Sequence, residues 1–313
     1  MKRILVLSFV ALVALPCLAQ EVLLRHRFSP GQSGKAMTEV QMQGDSFLTG
    51  QKAATQLRMQ MLRDFRVGSI DSTGNVKMDV TVQRLQTQGK MDNASFNRDL
   101  SGAELQQVMF GGHKTSVEVS PLGHVQGGDS PSFKQLGISL PSSLDQTGGF
   151  EIPTFPVEPV HVGDMWTENG SLLRGFRAQR EDLSDKTVYR LRQINPTADG
   201  RVAVIRYKKT TDLSGLNLGG SVQIGGLVIQ LEGEIEFNID QGAVIKTTQQ
   251  GLWNLNMNLS GQRNKTNLNQ QGMKIQIHTQ FRWGNIQRPQ QSSAPDPIEE
   301  SSVLNAPEIK EIP

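Results

Sequence analysis

The sequence predicts a mainly β protein: one or more extended or curved antiparallel sheets built from two similar halves, with one or two short helices. Three observations lead there. Apolar and polar residues alternate strictly over long runs, and turn-forming residues separate those runs. The composition is poor in aromatics (5%) and rich in glycine, with 31 residues. Alternation puts every second side chain on one face of a strand, and such a composition suits sheets with one wet face.

The chain opens with Lys2 and Arg3, continues through the apolar run Ile4 to Leu15, and reaches Pro16-Cys17-Leu18-Ala19. Residues 1–19 therefore read as a signal peptide, cleaved after Ala19. The run is too short for the roughly 18 apolar residues a spanning helix needs. A lipoprotein signal would make Cys17 the lipidated residue, but Pro16 stands where processing wants a small residue, which argues against lipidation. Export with cleavage leaves a cysteine-free chain in the periplasm or outside the cell, without disulfide or thiolate chemistry. Lys2 and Arg3 account for the net charge of +2, so the mature chain is formally neutral. Neutrality gives no electrostatic reason to expect nucleic acid as a partner.

A first β unit is expected over 20–147. Leu57, Met59, Met61, Phe65 and Val67 alternate with polar residues, broken only at Leu62 and Arg63. Val76, Met78, Val80 and Val82 follow with the same period. Between them Asp71-Ser72-Thr73-Gly74-Asn75 supplies turn chemistry, so the two runs form a hairpin. Ser101 and Glu104 have capping-box spacing, and Leu105, Val108 and Met109 give an apolar face, which predicts a helix near 102–110. A second short helix is expected at Ser132 to Leu136.

Residues 148–160 form a linker in which Pro153, Pro156 and Pro159 fix an extended course. A second β unit then spans 161–287. Tyr189, Leu191 and Ile194 lead through Asn195-Pro196-Thr197-Ala198-Asp199-Gly200 to Val202 and Val204. Leu255, Met257 and Leu259 alternate with asparagines, and Met273, Ile275, Ile277, Phe281 and Trp283 alternate with polar residues. Residues 288–313 turn to Pro, Gln, Ser and Glu without periodicity and read as a disordered tail.

The halves resemble one another. Phe65-Arg66-Val67 through Asp71 matches Tyr189-Arg190-Leu191 through Asn195. Val119 to Val125 matches Ile239 to Val244, and the entry Phe28-Ser29-Pro30-Gly31-Gln32 matches Val160-His161-Val162-Gly163-Asp164. Unrelated hairpins also share Asx, Gly and Val at such offsets; the common order favours an internal repeat.

No catalytic template is met, so no catalytic, cofactor-binding or metal-ligating residue is assigned and the chain reads as a non-enzyme. Gly31-Gln32-Ser33-Gly34-Lys35 fails the nucleophile elbow at its last position, and Gly111-Gly112-His113-Lys114-Thr115 fails the phosphate loop. His26, His113, His124, His161 and His278 lack the close pairing of a zinc site. Glu232, Glu234 and Glu236 share one side of a strand and read as a wet face rather than a cation-binding row. Gly215, Gly219, Gly220, Gly225 and Gly226 read as loop, beside the apolar run Leu227 to Leu231, which reads as a core strand, with the wall of an apolar pocket as the alternative. Met37, Met42, Met59, Met61 and Met78 are placed on inner faces, as core filling or as the lining of a cavity for a greasy ligand.

Residues Pro156 to Trp166, with Val162-Gly163-Asp164-Met165-Trp166 at their end, resemble a Val-Gly-Asp-x-Trp pattern of uncharacterised bacterial exported β-rich proteins. Arg25 to Gln32 is similar to the opening strand and Pro-Gly turn of such domains. That resemblance brings no activity or site residues. At the level of fold the pattern is also similar to envelope carriers of the lipoprotein-localisation type, whose curved sheet holds an apolar ligand. The expected function is therefore a non-catalytic envelope protein binding an apolar or amphipathic, lipid-like ligand. The alternative is a structural or protein-interaction module that engages another envelope protein.

Overall fold

The computed structural model describes residues 21–48, 51–91, 94–108, 114–126, 152–169, 184–212, 216–217, 222–260 and 265–284. Residues 1–19, read above as a signal peptide, the helix expected at Ser132 to Leu136, the expected tail at 288–313, His113, Gly215, Gly219 and Gly220 lie outside the described residues. The first half supplies β1 (Ser33–Leu48), β2 (Gln51–Ile70), β3 (Val76–Met91), β4 (Ala94–Ser101), α1 (Gly102–Val108), β5 (Lys114–Val119) and β6 (Val125–Gln126). The second supplies β7 (Met165–Asn169), β8 (Ser184–Thr197), β9 (Gly200–Asp212), β10 (Leu216–Asn217), β11 (Val222–Asn238), β12 (Ala243–Ser260) and β13 (Lys265–Trp283).

All of these strands belong to one open antiparallel sheet in the order β6-β5-β3-β2-β1-β13-β12-β11-β9-β8-β7, with β4 added to β3 and β10 to β11. The halves meet where β1 pairs β13, through contacts such as Ala36 with Phe281 and Val40 with Ile277. On either side of that junction, each arm is laid down strand by strand in sequence order. Long alternating runs and short turns dictate this, because neighbouring runs can pair only if each reverses direction.

The turn chemistry works as expected. Asp71 accepts from the Thr73 and Asn75 amides at 2.8 and 2.9 Å, and Gly74 takes φ 84°, which closes β2 onto β3. In the other arm Gly200 takes φ 115° between β8 and β9. The entry turns form the same hydrogen bonds in both halves. Gly31 N donates to Val67 O and Val67 N to Gln32 O; Gly163 N donates to Leu191 O and Leu191 N to Asp164 O, all between 2.8 and 3.1 Å.

One face of the sheet, here called inner, carries the core. Residues from opposite arms join a single cluster: Val117 and Val119 of β5, Phe65 of β2, Phe281 of β13, Phe237 of β11 and Leu191 of β8 are all buried in it. Such a cluster requires the sheet to curl, bringing the inner faces of its two arms together at the end where the β2–β3, β5–β6, β8–β9 and β11–β12 turns lie. This end is the base.

Two expectations for the first half need correction. Met37 points to the outer face and is 47% exposed, since its register partners are Leu62 and Gln280 rather than the inward Ala36 row. The apparent break at Leu62 and Arg63 is not a break in β2: the register shift falls opposite, where Gln83 is the extra residue of β3. Alternation continues, so Leu62 faces outward and Arg63 stands in the apolar inner row. The first expected helix is present as α1, and its Leu105 packs at 0% exposure against Met61 and Val82.

Candidate functional site

The base is sealed by two extended segments, 21–32 and 152–160, that cross the core end of the sheet. Val22 and Val160 exchange backbone hydrogen bonds at 2.9 Å. His26 N donates to Pro121 O at 2.8 Å and Arg27 N to Gly242 O at 3.0 Å, so one segment ties down hairpin turns from both arms. Phe155 N donates to Leu122 O at 2.8 Å, and Trp166 Nε1 donates to Thr154 O at 2.7 Å. The proline-bearing segment therefore spans from the β5–β6 turn to edge strand β7. Its three missing amide donors suit an extended path without strand partners on both sides.

His26 is the centre of this plug. Its ring stacks on Phe155 at 4.9 Å and meets Phe237 edge-on at 5.4 Å. Nε2 donates to Pro153 O at 3.0 Å, which leaves Nδ1 as the deprotonated nitrogen. Burial pushes its pKa down to about 4, opposed in part by the Pro153 bond, so the ring is neutral at pH 7. Gly123, at φ 86°, packs so closely under Pro153 O and His26 that a Cβ there has no room.

Above the base the inner face continues along the long strands. Met42, Leu57 and Ile275 form one cross-strand row, and Val40, Met59 and Ile277 the next. Trp253, Ile229 and Met273 form another on β12, β11 and β13. Val40, Leu227, Met273 and Ile275 are buried, whereas Met42, Leu57, Met59, Ile229, Leu231, Trp253 and Ile277 remain half-buried. Phe96 of β4, paired with Gly89 on this face, is 42% exposed. An apolar band thus extends past the sealed base, ending in side chains still partly in water.

A polar belt separates base from band. Arg63, 1% exposed, donates to the Thr38 hydroxyl and lies 6.0 Å over the Phe65 ring; desolvation lowers its pKa to about 10. The Thr38 and Thr279 hydroxyls share a 3.0 Å hydrogen bond, and Thr247 stands directly opposite Thr279. The Thr38 and Thr279 hydroxyls were invisible as a unit in the sequence because they lie 241 positions apart.

The outer face is polar. Lys274, Gln276, His278 and Arg282 of β13 alternate away from the core, as do Gln56, Arg58 and Arg66 of β2. Glu232, Glu234 and Glu236 lie here too, with Glu236 3.2 Å from Lys246, and so form the wet face expected of them. Two grooves of about 650 and 390 Å³ also open on this face, the larger beside Lys35, Asp64, Arg66 and Asp79, the smaller beside Glu234 and Glu236. Among the described residues no group of three or more His, Cys, Asp or Glu has a metal-binding arrangement. The histidines are spread out: His26 in the plug, His124 at the β5–β6 turn, His161 before β7, and His278 outward on β13. The Gly31 to Lys35 stretch is a turn leading into β1; Gly225 and Gly226, expected in a loop, instead lie within β11, where the register shift between Ile224 and Gly226 makes Gly225 the extra residue of a bulge.

No family model and no curated protein matches the chain. Among solved structures, lipovitellin, described with its lipid-protein interactions, is similar over 86% of this chain at 9% identity and a TM-score of 0.43. The chain spans 27% of that protein's length. An outer membrane channel from Pseudomonas putida F1 is similar over 83% of this chain and 97% of its own, at 9% identity and a TM-score of 0.24.

Proposed function

We propose that this is a non-catalytic envelope protein that holds an apolar or amphipathic ligand against the upper inner face of its curled sheet. One observation carries the reading: the half-buried band of Met42, Leu57, Met59, Ile229, Leu231 and Ile277, continuous with a core that is itself fully packed. A contiguous apolar surface that reaches the water boundary and is framed by polar residues marks a ligand-binding or interaction site. Their methionines are adaptable enough to repack around a chain of variable shape. The polar outer face fits a water-exposed carrier, since a membrane-spanning barrel is apolar outside. Matching entry turns and strand order support the further reading of two similar β units, 20–147 and 161–287, within one sheet.

A second reading, a protein-interaction module, has its own support. Val157 and Val162, 66% and 46% exposed, lie before β7, and Met165, 63% exposed, opens it; among the described residues β7 pairs only β8, and an edge strand of this kind suits strand addition.

Protein isolated from its native envelope without detergent, then sprayed intact into a mass spectrometer, tests the carrier reading. The expected spectrum contains a bound lipid-like mass that organic extraction removes. A uniformly bare protein would contradict it.

A further inference from the structure

The polar belt does not end in a closed pair. It runs from Arg63 through Thr38, Thr279 and Thr247, at 1%, 1%, 1% and 3% exposure, to Gln249 at 6%. Gln249 Oε1 is buried and has no hydrogen-bond partner among the described residues. Four residues further along the inner face of β12, the buried Trp253 Nε1–H also has none. Gly251 stands between them without a side chain, and Ile277, Leu231 and Ile229 are their cross-strand neighbours. Leaving either atom unsatisfied costs about 1–3 kcal/mol, and native chains seldom keep two such atoms on one face of one strand, four residues apart, without a partner to come.

The two atoms differ in kind. Gln249 Oε1 accepts and Trp253 Nε1–H donates. A bare carboxylate or phosphate group would bring only acceptors to Gln249, and a cationic head would enter the belt that already holds Arg63. We propose that this wall of β12 recognises the head of an uncharged, hydroxyl-bearing acyl ester. Its hydroxyl donates to Gln249 Oε1, its carbonyl accepts from Trp253 Nε1–H, and its hydrocarbon tail lies on the apolar band. The inference rests on the carrier reading and specifies the ligand class for it.

Calorimetric titration of the delipidated protein with three twelve-carbon probes tests this: monododecanoylglycerol, methyl dodecanoate and dodecanoate. Wild type should bind the glycerol ester about tenfold more tightly than the methyl ester or the anion, the worth of one buried hydrogen bond. Gln249→Leu should narrow the gap between the two esters to within about threefold by weakening the glycerol ester alone, and should melt no lower than wild type. Trp253→Phe should weaken both esters together, by about threefold to tenfold, because both carry the carbonyl. Equal binding of the two esters by wild type, preference for dodecanoate, or a preference that survives Gln249→Leu would overturn the assignment while leaving a carrier. If wild type binds none of the three, the carrier reading itself fails.

Discussion

At the base of the sheet Phe65, Phe237 and Phe281 are at most 3% exposed, packed with His26, Phe155 and Leu191. Further up, β2, β11 and β13 present Leu57, Ile229 and Ile277 on the same inner face, yet these are only half-buried. Strand composition does not separate the regions, since both follow the same apolar alternation. What differs is the cover. Residues 21–32 and 152–160 cross the base and tie turns of both arms together, while the described residues place no comparable segment over the band. A curled sheet with one closed end therefore has two jobs for one pattern: folding below, and, in the proposed reading, binding above.

Truncation should separate the two most sharply. Phe237→Ala removes a ring at 0% exposure that touches His26 and Phe155, and should cost about 3–5 kcal/mol in urea unfolding. Leu231→Ala on the same strand should cost about 1–2 kcal/mol, because water already reaches the site. Equal losses would erase the distinction between base and band.

A pH series gives the next largest effect. The folded-state pKa of His26 is held at about 4, below the ordinary value of 6.5. The unfolded chain therefore binds a proton that the plug refuses, and stability is full above pH 6.5 and falls as pH drops toward 4. At pH 4.5 the loss should be about 2–3 kcal/mol. His26→Phe keeps an aromatic ring beside Phe155 and should remove that share of the pH dependence, as read by unfolding midpoints at pH 7 and 4.5. Identical slopes in the two proteins would show that the ring takes up its proton without opening the plug.

Local rules made much of the fold legible. The β2–β3 hairpin follows from alternation and the Asp71 to Asn75 turn, and Met273 to Trp283 could be assigned a face directly. Arg63 was legible only as an interruption, because alternation alone cannot tell a bulge from a charged residue kept in an apolar row; the stem and guanidinium had to be seen lying over Phe65 and reaching Thr38. Met37 misled for the converse reason, as an apolar side chain on a wet face looks inward when read singly. The plug was illegible: His26 meets Pro153 across 127 positions, and no local pattern encodes such a contact. The belt from Thr38 to Thr279 was hidden in the same way. Threonine is ordinary in strands, and only register reveals that these hydroxyls meet.

In the proposed reading the band above the belt, and neither the base nor the outer face, receives the ligand. Titration of a fluorescent acyl probe into matched variants separates these surfaces. Leu57→Asn with Met59→Asn makes the band polar, and Met37→Asn with Leu252→Asn makes the same change on the outer face, where both residues are more than 40% exposed. The inner pair should weaken probe binding by more than about tenfold, as expected from losing two apolar contacts, while the outer pair stays within about twofold of wild type. Unchanged binding in the inner pair, with both variants folded, would contradict the claim.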